Sequence, residues 1–537
     1  MSGDAPGAAA RRRILFTTSN GTGLGHLTRS MAIARRLGAE IEPLFLTLSA
    51  AAPVVREMGY PVEYVPSYAT PGSGNDYRWS RRLRARLRAV IAEADPAVIV
   101  FDGTHPYEAL LGALGSEGVA VWCRRPLWRA GSSRVPLGRA GAFDAVLEPG
   151  ELAESEDRGP TVAHRDGAHR VGPIVLLERA ELLDRAAAEA ELGLEPGRTN
   201  VLVALGQGEE VRGATARTLE HLAGRAGVQV AALSSTLASV DAVPDGVVQL
   251  RATYPMSRYF AAFDAAVAAA GYNAFHELVA LGVPSLFVPM RRDTDDQAAR
   301  ARWAERAGVG LGSEGPADPA LEAQLERLLD RGERFALAAR LADLPRPRGA
   351  AEAAAWLTNL ATATPTGPAG PASQAGPAGP AAPAGGEWQQ TSPPGTESAS
   401  RAGAGGRDGS GREFRRRWGQ FFASAPRTVY RLGRQQLTKP RARTLILAVG
   451  IGEDRVVEAV RAALAESGEA PPRALVVTDA LGALGELRVL GVGIEHVPAR
   501  GERQAELAGG SYEDFVEARL ALIRAERPRP RQTITAR

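Results

Sequence analysis

The 537-residue sequence predicts an α/β protein with two doubly wound parallel sheets, a disordered linker and a small third α/β module. Three observations support this fold class. Short apolar segments alternate with amphipathic ones through the first 360 residues, which is typical of strands and crossover helices in parallel sheets. The pair Gly172-Pro173 interrupts this alternation near its middle, as a hinge does. Beyond residue 360 the composition changes abruptly, and the alternating pattern returns only after residue 443.

The first predicted domain spans residues 12–171 and is Rossmann-like. Its strand and helix segments follow one another in strict alternation, so a parallel sheet with crossover helices is expected. The predicted strands are Ile14–Thr17, Ile41–Leu48, Val62–Val65 and Val98–Phe101, and the predicted helices are His26–Leu37, Ala51–Met58, Trp79–Ala94 and one from Tyr107.

The second predicted domain spans residues 172–360 and is also Rossmann-like. Its predicted strands are Val201–Leu205, Val228–Ser234, Val247–Leu250, Ala265–Ala268 and Ser285–Val288, and its helices are Asn273–Leu281, Ala298–Ala307, Ala320–Leu329, Phe335–Ala342 and Ala350–Leu360. Two such domains leave a cleft that faces the carboxyl ends of both sets of strands, where ligands of open parallel sheets bind.

The remaining chain divides into three segments. Residues 361–411 contain no Leu, Ile or Val, and 32 of these 51 residues are Ala, Gly or Pro, so a disordered linker is expected. Residues 412–443 combine ten basic residues and one acidic residue with five aromatic residues. Residues 444–527 predict a small βαβαβ module. In this module Gly450-Ile451-Gly452 and Thr478-Asp479 follow strands, and both ligand binding and a docking or regulatory role stay open.

The overall composition excludes several classes of protein. Hydrophobic residues make up 45% and charged residues 23%, as in ordinary globular proteins, and the net charge is only +3. A strong overall attraction to nucleic acid is therefore not expected. Cys123 is the only cysteine, which excludes an internal disulfide and a cysteine-based zinc cage and fits a reducing cytosol. No stretch approaches the ~18 apolar residues of a membrane span. A cytoplasmic protein is expected.

A glycine-rich loop, Asn20-Gly21-Thr22-Gly23-Leu24-Gly25-His26, joins the first predicted strand to the first helix. Such glycines permit a tight turn and let a ligand approach the positive end of the helix. A dinucleotide fingerprint is disfavoured, because His26 stands at its third glycine and Ser49 replaces the acidic residue after the second strand.

His26 and Asp102 are the predicted catalytic pair. The helix N-terminus lowers the pKa of a histidine there and keeps it neutral, as a general base requires. Asp102 follows the strand Val98–Phe101 at the same cleft edge and would stabilise the imidazolium. The alternatives are a cap or surface role for His26 and a helix cap for Asp102.

A second group of motifs lies between Ala268 and Gln297. Gly271 follows a strand, and the amides of Tyr272–Ala274 would open a helix toward a phosphate group. Glu277, one helical turn further, is within reach of ribose hydroxyls. The pair Asp296-Gln297 follows Gly282-Val283-Pro284 and can bond sugar hydroxyls.

In this order and spacing, these motifs resemble the donor-site signature of GT-B nucleotide-sugar glycosyltransferases. The likeness covers residues 13–360 and extends to plant UDP-glycosyltransferases and to the bacterial glycosyltransferase family 28, which builds a cell-envelope glycan. The loop Gly21–His26 resembles the opening loop of family 28 with one extra residue. The segment Ala204-Leu205-Gly206-Gln207-Gly208 is similar to the loop after its first C-terminal strand, and Val171-Gly172-Pro173 to its hinge.

The resemblance implies a role for each matching residue. Gly271, Tyr272 and Asn273 would contact the donor diphosphate, Glu277 the ribose, and Asp296 and Gln297 the transferred sugar, while His26 would deprotonate the acceptor. The full donor-binding set implied is Gly23, Gly25, Gly206, Gln207, Gly208, Gly271, Tyr272, Asn273, Ala274, Glu277, Asp296 and Gln297.

The chain departs from these families at two positions. Ala269 replaces the histidine of the plant signature, and Asp296 replaces the first glutamine of the bacterial Gln-Gln pair. Phosphate binding is therefore expected to depend more on backbone amides, and the donor sugar is left open. The resemblance implies no cofactor and no metal, with a UDP-sugar as co-substrate. Asp293-Thr294-Asp295 has the form of a cation-binding Asp-x-Asp and is interpreted as a solvated loop.

The acceptor is expected on the first domain. Two arginine-rich segments, Asp76–Arg88 and Trp122–Arg139, fit a lipid-linked or phosphate-bearing acceptor, although a solvated helix face is the simpler interpretation of the first. The basic and aromatic residues 412–443 predict contact with an anionic membrane, at its inner face. Nucleic-acid binding is the rival there and is disfavoured, because no nucleic-acid module accompanies the segment.

The leading functional prediction is a metal-independent glycosyltransferase that moves a hexosyl or N-acetylhexosaminyl group from a UDP-sugar to an acceptor hydroxyl. Two alternatives stay open. One is a UDP-sugar epimerase of the same architecture, and the other is a non-catalytic protein that binds nucleotide sugars.

Overall fold

The first domain contains a seven-stranded parallel sheet. A computed structural model of the chain describes residues 11–19, 24–68, 76–115, 117–206, 209–233, 244–250, 253–363, 442–525 and 530–536. The strands are β1 (Arg12–Thr18), β2 (Ile41–Thr47), β3 (Val62–Tyr64), β4 (Val98–Asp102), β5 (Val119–Cys123), β6 (Ala145–Glu148) and β7 (His169–Arg170), in the order β3-β2-β1-β4-β5-β6-β7. The order reverses between β1 and β4, which makes the carboxyl ends of these two strands the expected ligand position.

The helices of this domain are α1 (Gly25–Ala34), α2 (Ala52–Glu57), α3 (Asp76–Ala94) and α4 (Glu108–Leu111). The four predicted strands are present in the sheet. Strands β5, β6 and β7 were not predicted, and β7 consists of only two exposed residues.

The second domain contains a six-stranded parallel sheet with the same reversal. Its strands are β8 (Thr199–Ala204), β9 (Val228–Leu233), β10 (Val247–Leu250), β11 (Ala265–Ala269), β12 (Ser285–Val288) and β13 (Leu311–Gly312), in the order β10-β9-β8-β11-β12-β13. Its helices are α5 (Arg185–Leu192), α6 (Glu209–Leu222), α7 (Tyr272–Leu281), α8 (Gln297–Ala307), α9 (Leu321–Leu329), α10 (Arg331–Ala342) and α11 (Gly349–Ala363). Here the order reverses between β8 and β11, so the loops that follow these strands share one sheet edge.

Helix α11 follows the second domain in the chain but packs on the first. Its residues Ala353 and Leu357 are fully buried in the same apolar cluster as Phe16 of β1. The crossing back is tight, because a Cβ on Gly349 would lie 1.8 Å from the carbonyl oxygen of Gly172. The Gly172 amide also donates to Glu352 Oε2 at 2.7 Å. The two domains are therefore joined at the hinge by two adjacent passages of the chain.

The third module contains a four-stranded parallel sheet. Its strands are β14 (Thr444–Ala448), β15 (Ala474–Thr478), β16 (Gly493–His496) and β17 (Gln532–Thr535), in the order β16-β15-β14-β17, and its helices are α12 (Val456–Ser467), α13 (Leu484–Val489), α14 (Arg503–Leu507) and α15 (Tyr512–Ala525). The sequence predicted the first three strands, whereas β17 lies beyond the predicted end at residue 527. The predicted linker, apart from residues 361–363 in α11, and nearly all of the basic aromatic segment lie outside the described residues.

Short 3-10 helices complete the described structure. They lie at Leu137–Ala142, Glu154–Glu156, Val162–His164, Arg179–Glu181, Met256–Ala262, Pro471–Arg473 and Leu481–Ala483. None of the helices in the described ranges is long and apolar enough to cross a bilayer.

The third module packs against the outer edge of the first sheet through buried charges. Glu63 of β3 is fully buried and pairs with Arg86 of α3 and with Arg519 of α15, the latter at 3.3 Å. Burial alone would raise the pKa of Glu63, but Arg519 and Arg86 outweigh it and hold the pKa below its ordinary value. Arg519 also pairs with Glu93 of α3 at 2.5 Å. Arg86 is therefore part of a domain contact, which corrects the expectation that the arginine-rich helix is a solvated face.

His496 completes this contact. It is fully buried, and its Nδ1 accepts from the Tyr64 amide at 3.4 Å. Burial lowers its pKa to about 3, so the ring is neutral at physiological pH. The outer edge of β3, which would otherwise present an unpaired amide, is covered by the module.

Replacing Arg519 by Ala is expected to weaken the docking of the third module by about 3–5 kcal/mol, because it leaves the buried carboxylate of Glu63 short of a partner. Hydrogen exchange followed by mass spectrometry should show faster exchange in β3 and β16. Arg524→Ala is the matched control on the same helix, since its side chain is 44% exposed. Its effect should stay within about 0.5 kcal/mol. Equal effects of the two substitutions would contradict the role of the buried charge.

Candidate functional site

The reversal points of the first two sheets face each other across the domain contact. Helix α1 begins beside the end of β4, and helix α7 begins beside the ends of β8 and β11. The Asn273 side-chain amide of α7 donates to the carbonyl oxygen of Gly25 of α1 at 3.0 Å. The Thr28 and Tyr254 hydroxyls also meet at 3.0 Å. The loop that carries His26 and the start of α7 therefore form one site.

His26 and Asp102 are in direct contact, at 2.6 Å between Nδ1 and Oδ1. Asp102 is 1% exposed, whereas the His26 side chain keeps 20% of its surface. Burial would raise the pKa of Asp102, but Arg29 and His26 outweigh it and hold the pKa below its ordinary value. Burial lowers the pKa of His26, although Asp102 acts in the opposite direction.

These directions determine which nitrogen of His26 is basic. The Asp102 carboxylate is ionised and only accepts hydrogen bonds, so His26 Nδ1 carries the hydrogen of this contact. In the neutral ring Nε2 is then unprotonated and can accept a proton. The contact that the sequence analysis expected between these two residues, 76 positions apart in the chain, is present, and the catalytic role of the pair stays a prediction.

The start of α7 has the geometry of an anion site. Gly271 is the N-cap, and the helix begins at Tyr272, so the first amides of the helix, including those of Asn273 and Ala274, have no acceptor within the helix. The space beside Gly271 is open, since an added Cβ would meet only Gln297 Nε2, at 3.7 Å. Gly206 follows β8 on the same sheet edge and has a φ of +86°, which favours glycine.

The Tyr272 hydroxyl makes its hydrogen bonds within the protein. Its hydroxyl donates to the Gly150 carbonyl at 2.8 Å and accepts from the Ile174 amide at 3.1 Å. Burial raises its pKa, so the hydroxyl stays protonated. Only the backbone of Tyr272 is therefore placed for the predicted diphosphate contact.

Two oxygen atoms one turn apart on α7 are buried and meet no hydrogen-bond partner among the described side chains. They are Asn273 Oδ1 and Glu277 Oε1. Burial raises the pKa of Glu277 to about 7, against a weaker effect of a hydrogen bond with the Leu176 backbone. A buried acceptor without a donor is unfavourable, so these atoms are suited to hydroxyl groups of a ligand.

Asp296 and Gln297 have partners within the protein. Asp296 caps α8, where its Oδ1 accepts from the Ala299 amide at 3.1 Å. Gln297 is 5% exposed, and its Oε1 accepts from the Met290 amide at 2.9 Å. Their contact with a transferred sugar stays a prediction. The predicted donor-site residues Gly23, Gln207 and Gly208 lie outside the described residues.

A buried ion network that the sequence analysis did not find joins the two domains. Arg300 of α8 bonds Asp295 Oδ1 at 2.8 Å and Glu151 Oε2 at 3.0 Å, and it is fully buried. Arg125 of the first domain bonds the same Asp295 oxygen at 2.5 Å. Asp295 is 8% exposed. The interpretation of Asp293-Thr294-Asp295 as a solvated loop is therefore wrong for Asp295. Among the described residues no group of three or more His, Cys, Asp and Glu side chains is arranged to hold a metal.

Comparison with known proteins places the chain in a family. No protein-family profile matches the chain. The chain is 30% identical over 305 residues to the UDP-N-acetylglucosamine--N-acetylmuramyl-(pentapeptide) pyrophosphoryl-undecaprenol N-acetylglucosamine transferase of Nocardia farcinica, covering 53% of this chain and 79% of the relative. The enzyme of the same name from Saccharopolyspora erythraea is 29% identical over 318 residues, 56% of this chain and 81% of the relative.

Among solved structures, MurG of Acinetobacter baumannii covers 65% of this chain and 99% of its own, with 14% identity and a TM-score of 0.44. The two-domain architecture follows from the strand orders themselves. The predicted α/β fold of two doubly wound sheets with a small third module and the predicted resemblance are both confirmed. The chain belongs to the family of UDP-N-acetylglucosamine--N-acetylmuramyl-(pentapeptide) pyrophosphoryl-undecaprenol N-acetylglucosamine transferases and is a glycosyltransferase of the GT-B type.

Proposed function

We propose that the chain transfers N-acetylglucosamine from UDP-N-acetylglucosamine to a hydroxyl of a lipid-linked acceptor that carries a pyrophosphate. The names of its relatives state both substrates for those enzymes. The acceptor would lie on the first domain, next to His26, and the donor on the second. UDP-sugar is the co-substrate, and neither a cofactor nor a metal takes part in the proposed reaction.

The observation that carries the proposal is the contact between the two halves of the site. The 3.0 Å bond from Asn273 Nδ2 to the Gly25 carbonyl holds the residue before His26 against the first turn of α7. A diphosphate at the α7 amides and a hydroxyl at His26 would therefore lie on opposite sides of one small space, as transfer between them requires.

The proposed reaction follows from this arrangement. His26 Nε2 removes the proton from the acceptor hydroxyl while the hydroxyl oxygen attacks the anomeric carbon of the transferred sugar. The bond from that carbon to the diphosphate oxygen breaks, and UDP leaves with the electron pair. The amides at the start of α7 stabilise the charge that develops on the diphosphate, in place of a metal ion. Asp102 stabilises the imidazolium of His26 until the proton is released to solvent.

A lipid-linked acceptor requires the enzyme to work at a membrane surface. We infer that it acts from the cytoplasmic side, in peripheral contact with the inner face of the membrane. The support is the sequence of residues 412–443, whose net charge of +9 and aromatic residues suit an anionic surface.

The direct test is an assay of the full chain with UDP-N-acetylglucosamine and a polyprenyl-pyrophosphoryl-N-acetylmuramyl acceptor, followed by NMR. We expect UDP release only with acceptor present, at the same rate with and without EDTA. Conversion of the nucleotide sugar into an epimer in the absence of acceptor would contradict the proposal and favour an epimerase. Loss of activity in EDTA would contradict the metal-independent mechanism.

Replacing His26 by Ala is expected to lower kcat by a factor of about 10²–10⁴, because the proton acceptor is lost. The Kd of UDP, measured by calorimetry, should be unchanged, since no donor contact is removed. His221→Ala is the control, because His221 pairs with Glu326 on the far helices of the second domain. Unchanged turnover in His26→Ala would refute the role of His26.

UDP binding is expected to weaken about tenfold as the pH falls from 8 to 6. Ribose hydroxyls donate to the ionised carboxylate of Glu277, whose pKa of about 7 means that it becomes protonated over this range. Glu277→Gln should weaken binding at pH 8 and remove the pH dependence, whereas the exposed control Glu322→Gln should leave both unchanged. A pH dependence that persists in Glu277→Gln would rule out this contact.

A further inference from the structure

Arg29 is a buried charge whose contacts are all directed at the proposed catalytic pair and its surroundings. It lies one turn after His26 on α1, and its side chain is 2% exposed. Its Nε donates to Asp102 Oδ2 at 2.8 Å, and one terminal nitrogen donates to Asp102 Oδ1. Burying a guanidinium is costly unless its hydrogen bonds are satisfied, so this arrangement is specific.

We propose that Arg29 is a positioning residue that fixes the Asp102 carboxylate for His26 and is itself held by Tyr272 of the second domain. This inference rests on the proposed role of His26 as the base. The two bonds from Arg29 fix the plane of the carboxylate, so that Oδ1 lies 2.6 Å from His26 Nδ1. They also supply the positive charge that this buried carboxylate needs to stay ionised.

Tyr272 provides the second half of the argument. The Arg29 guanidinium lies 5.2 Å from the centre of the Tyr272 ring, and Arg300 lies 5.7 Å from the same ring. The Tyr272 hydroxyl is fixed by Gly150 and Ile174. Tyr272 is also the first residue of α7. Arg29, which is proposed to orient the catalytic pair, therefore packs against the helix that is proposed to bind the donor. Orientation of His26 is therefore tied to the contact between the domains.

The charges around the pair determine what removal of Arg29 does. His26 is influenced by Asp102, Arg29 and Arg125, and Asp102 by Arg29 and His26, while the buried thiol of Cys123 lies beside Asp102. His26 and Asp102 are in hydrogen-bond contact, and a nearby positive charge opposes proton uptake at either site. Without Arg29 the pair should take up its proton at a higher pH.

The test compares Arg29→Met and Arg29→Lys with the control Arg35→Met in the full chain. Arg35 follows α1 and pairs with Glu181, and the charges that act on His26 and Asp102 do not include it. In Arg29→Met we expect the apparent pKa of the acid limb of the kcat/KM profile to increase by about one unit. We also expect kcat at pH 7 to fall about tenfold or more. In Arg29→Lys the charge is kept but the two-bond fork is lost, so kcat should fall while the acid limb stays in place. KM for the donor should change little in both.

NMR of the histidine side chains without donor provides a readout that does not depend on activity. The His26 signal is assigned with His26→Gln, and thermal melting verifies that each variant is folded. A raised titration midpoint of His26 in Arg29→Met, with no change in Arg35→Met, supports the proposal. An unmoved midpoint overturns it, even where kcat falls. A third outcome separates the two proposals. If the titration midpoint of His26 moves but the kcat/KM profile has no acid limb that follows it, His26 is not the base, and the effect of Arg29 on the His26–Asp102 pair is still supported.

Discussion

The packing of two guanidinium groups, those of Arg29 and Arg300, near the ring of Tyr272 is the interaction on which the candidate site depends. Each guanidinium is buried and paired with carboxylates, Arg29 with Asp102 and Arg300 with Glu151 and Asp295. Buried charges tolerate little displacement, because a lost partner leaves an unpaired ion in a region of low dielectric. The position of α1 relative to α7 is therefore specified by electrostatics as well as by apolar contact.

This constraint explains why the polar groups of the site differ in character. Asp102 and Asp295 are held ionised by arginines and are fully engaged. Glu277 has no arginine partner among the described residues, and burial raises its pKa to about 7. Groups with partners serve to hold the domains and the His26 ring in place. Glu277 Oε1 and Asn273 Oδ1, which meet no hydrogen-bond partner among the described residues, are the atoms proposed to contact a ligand.

The parts of the site that the sequence predicted are those encoded locally. Gly271 before an amphipathic run indicates a helix start, and a histidine after a glycine-rich turn indicates a helix N-terminus, whatever the rest of the fold does. Arg29, Arg300 and Asp295 carry no such local signal. Their roles arise from partners 73, 149 and 170 residues away in the chain. The return of α11 to the first sheet and the docking of the third module on β3 likewise depend on distant contacts, so no pattern within either segment indicates them.

The close approach of Gly172 and Gly349 has a mechanical consequence. The backbone passes between the lobes twice at nearly the same point, and the Gly349 amide bonds the Pro173 carbonyl at 3.3 Å. Because the two passages lie side by side, one domain cannot rotate freely against the other about a single passage. Rotation about a line through both passages is therefore the relative motion of the two domains that this linkage opposes least.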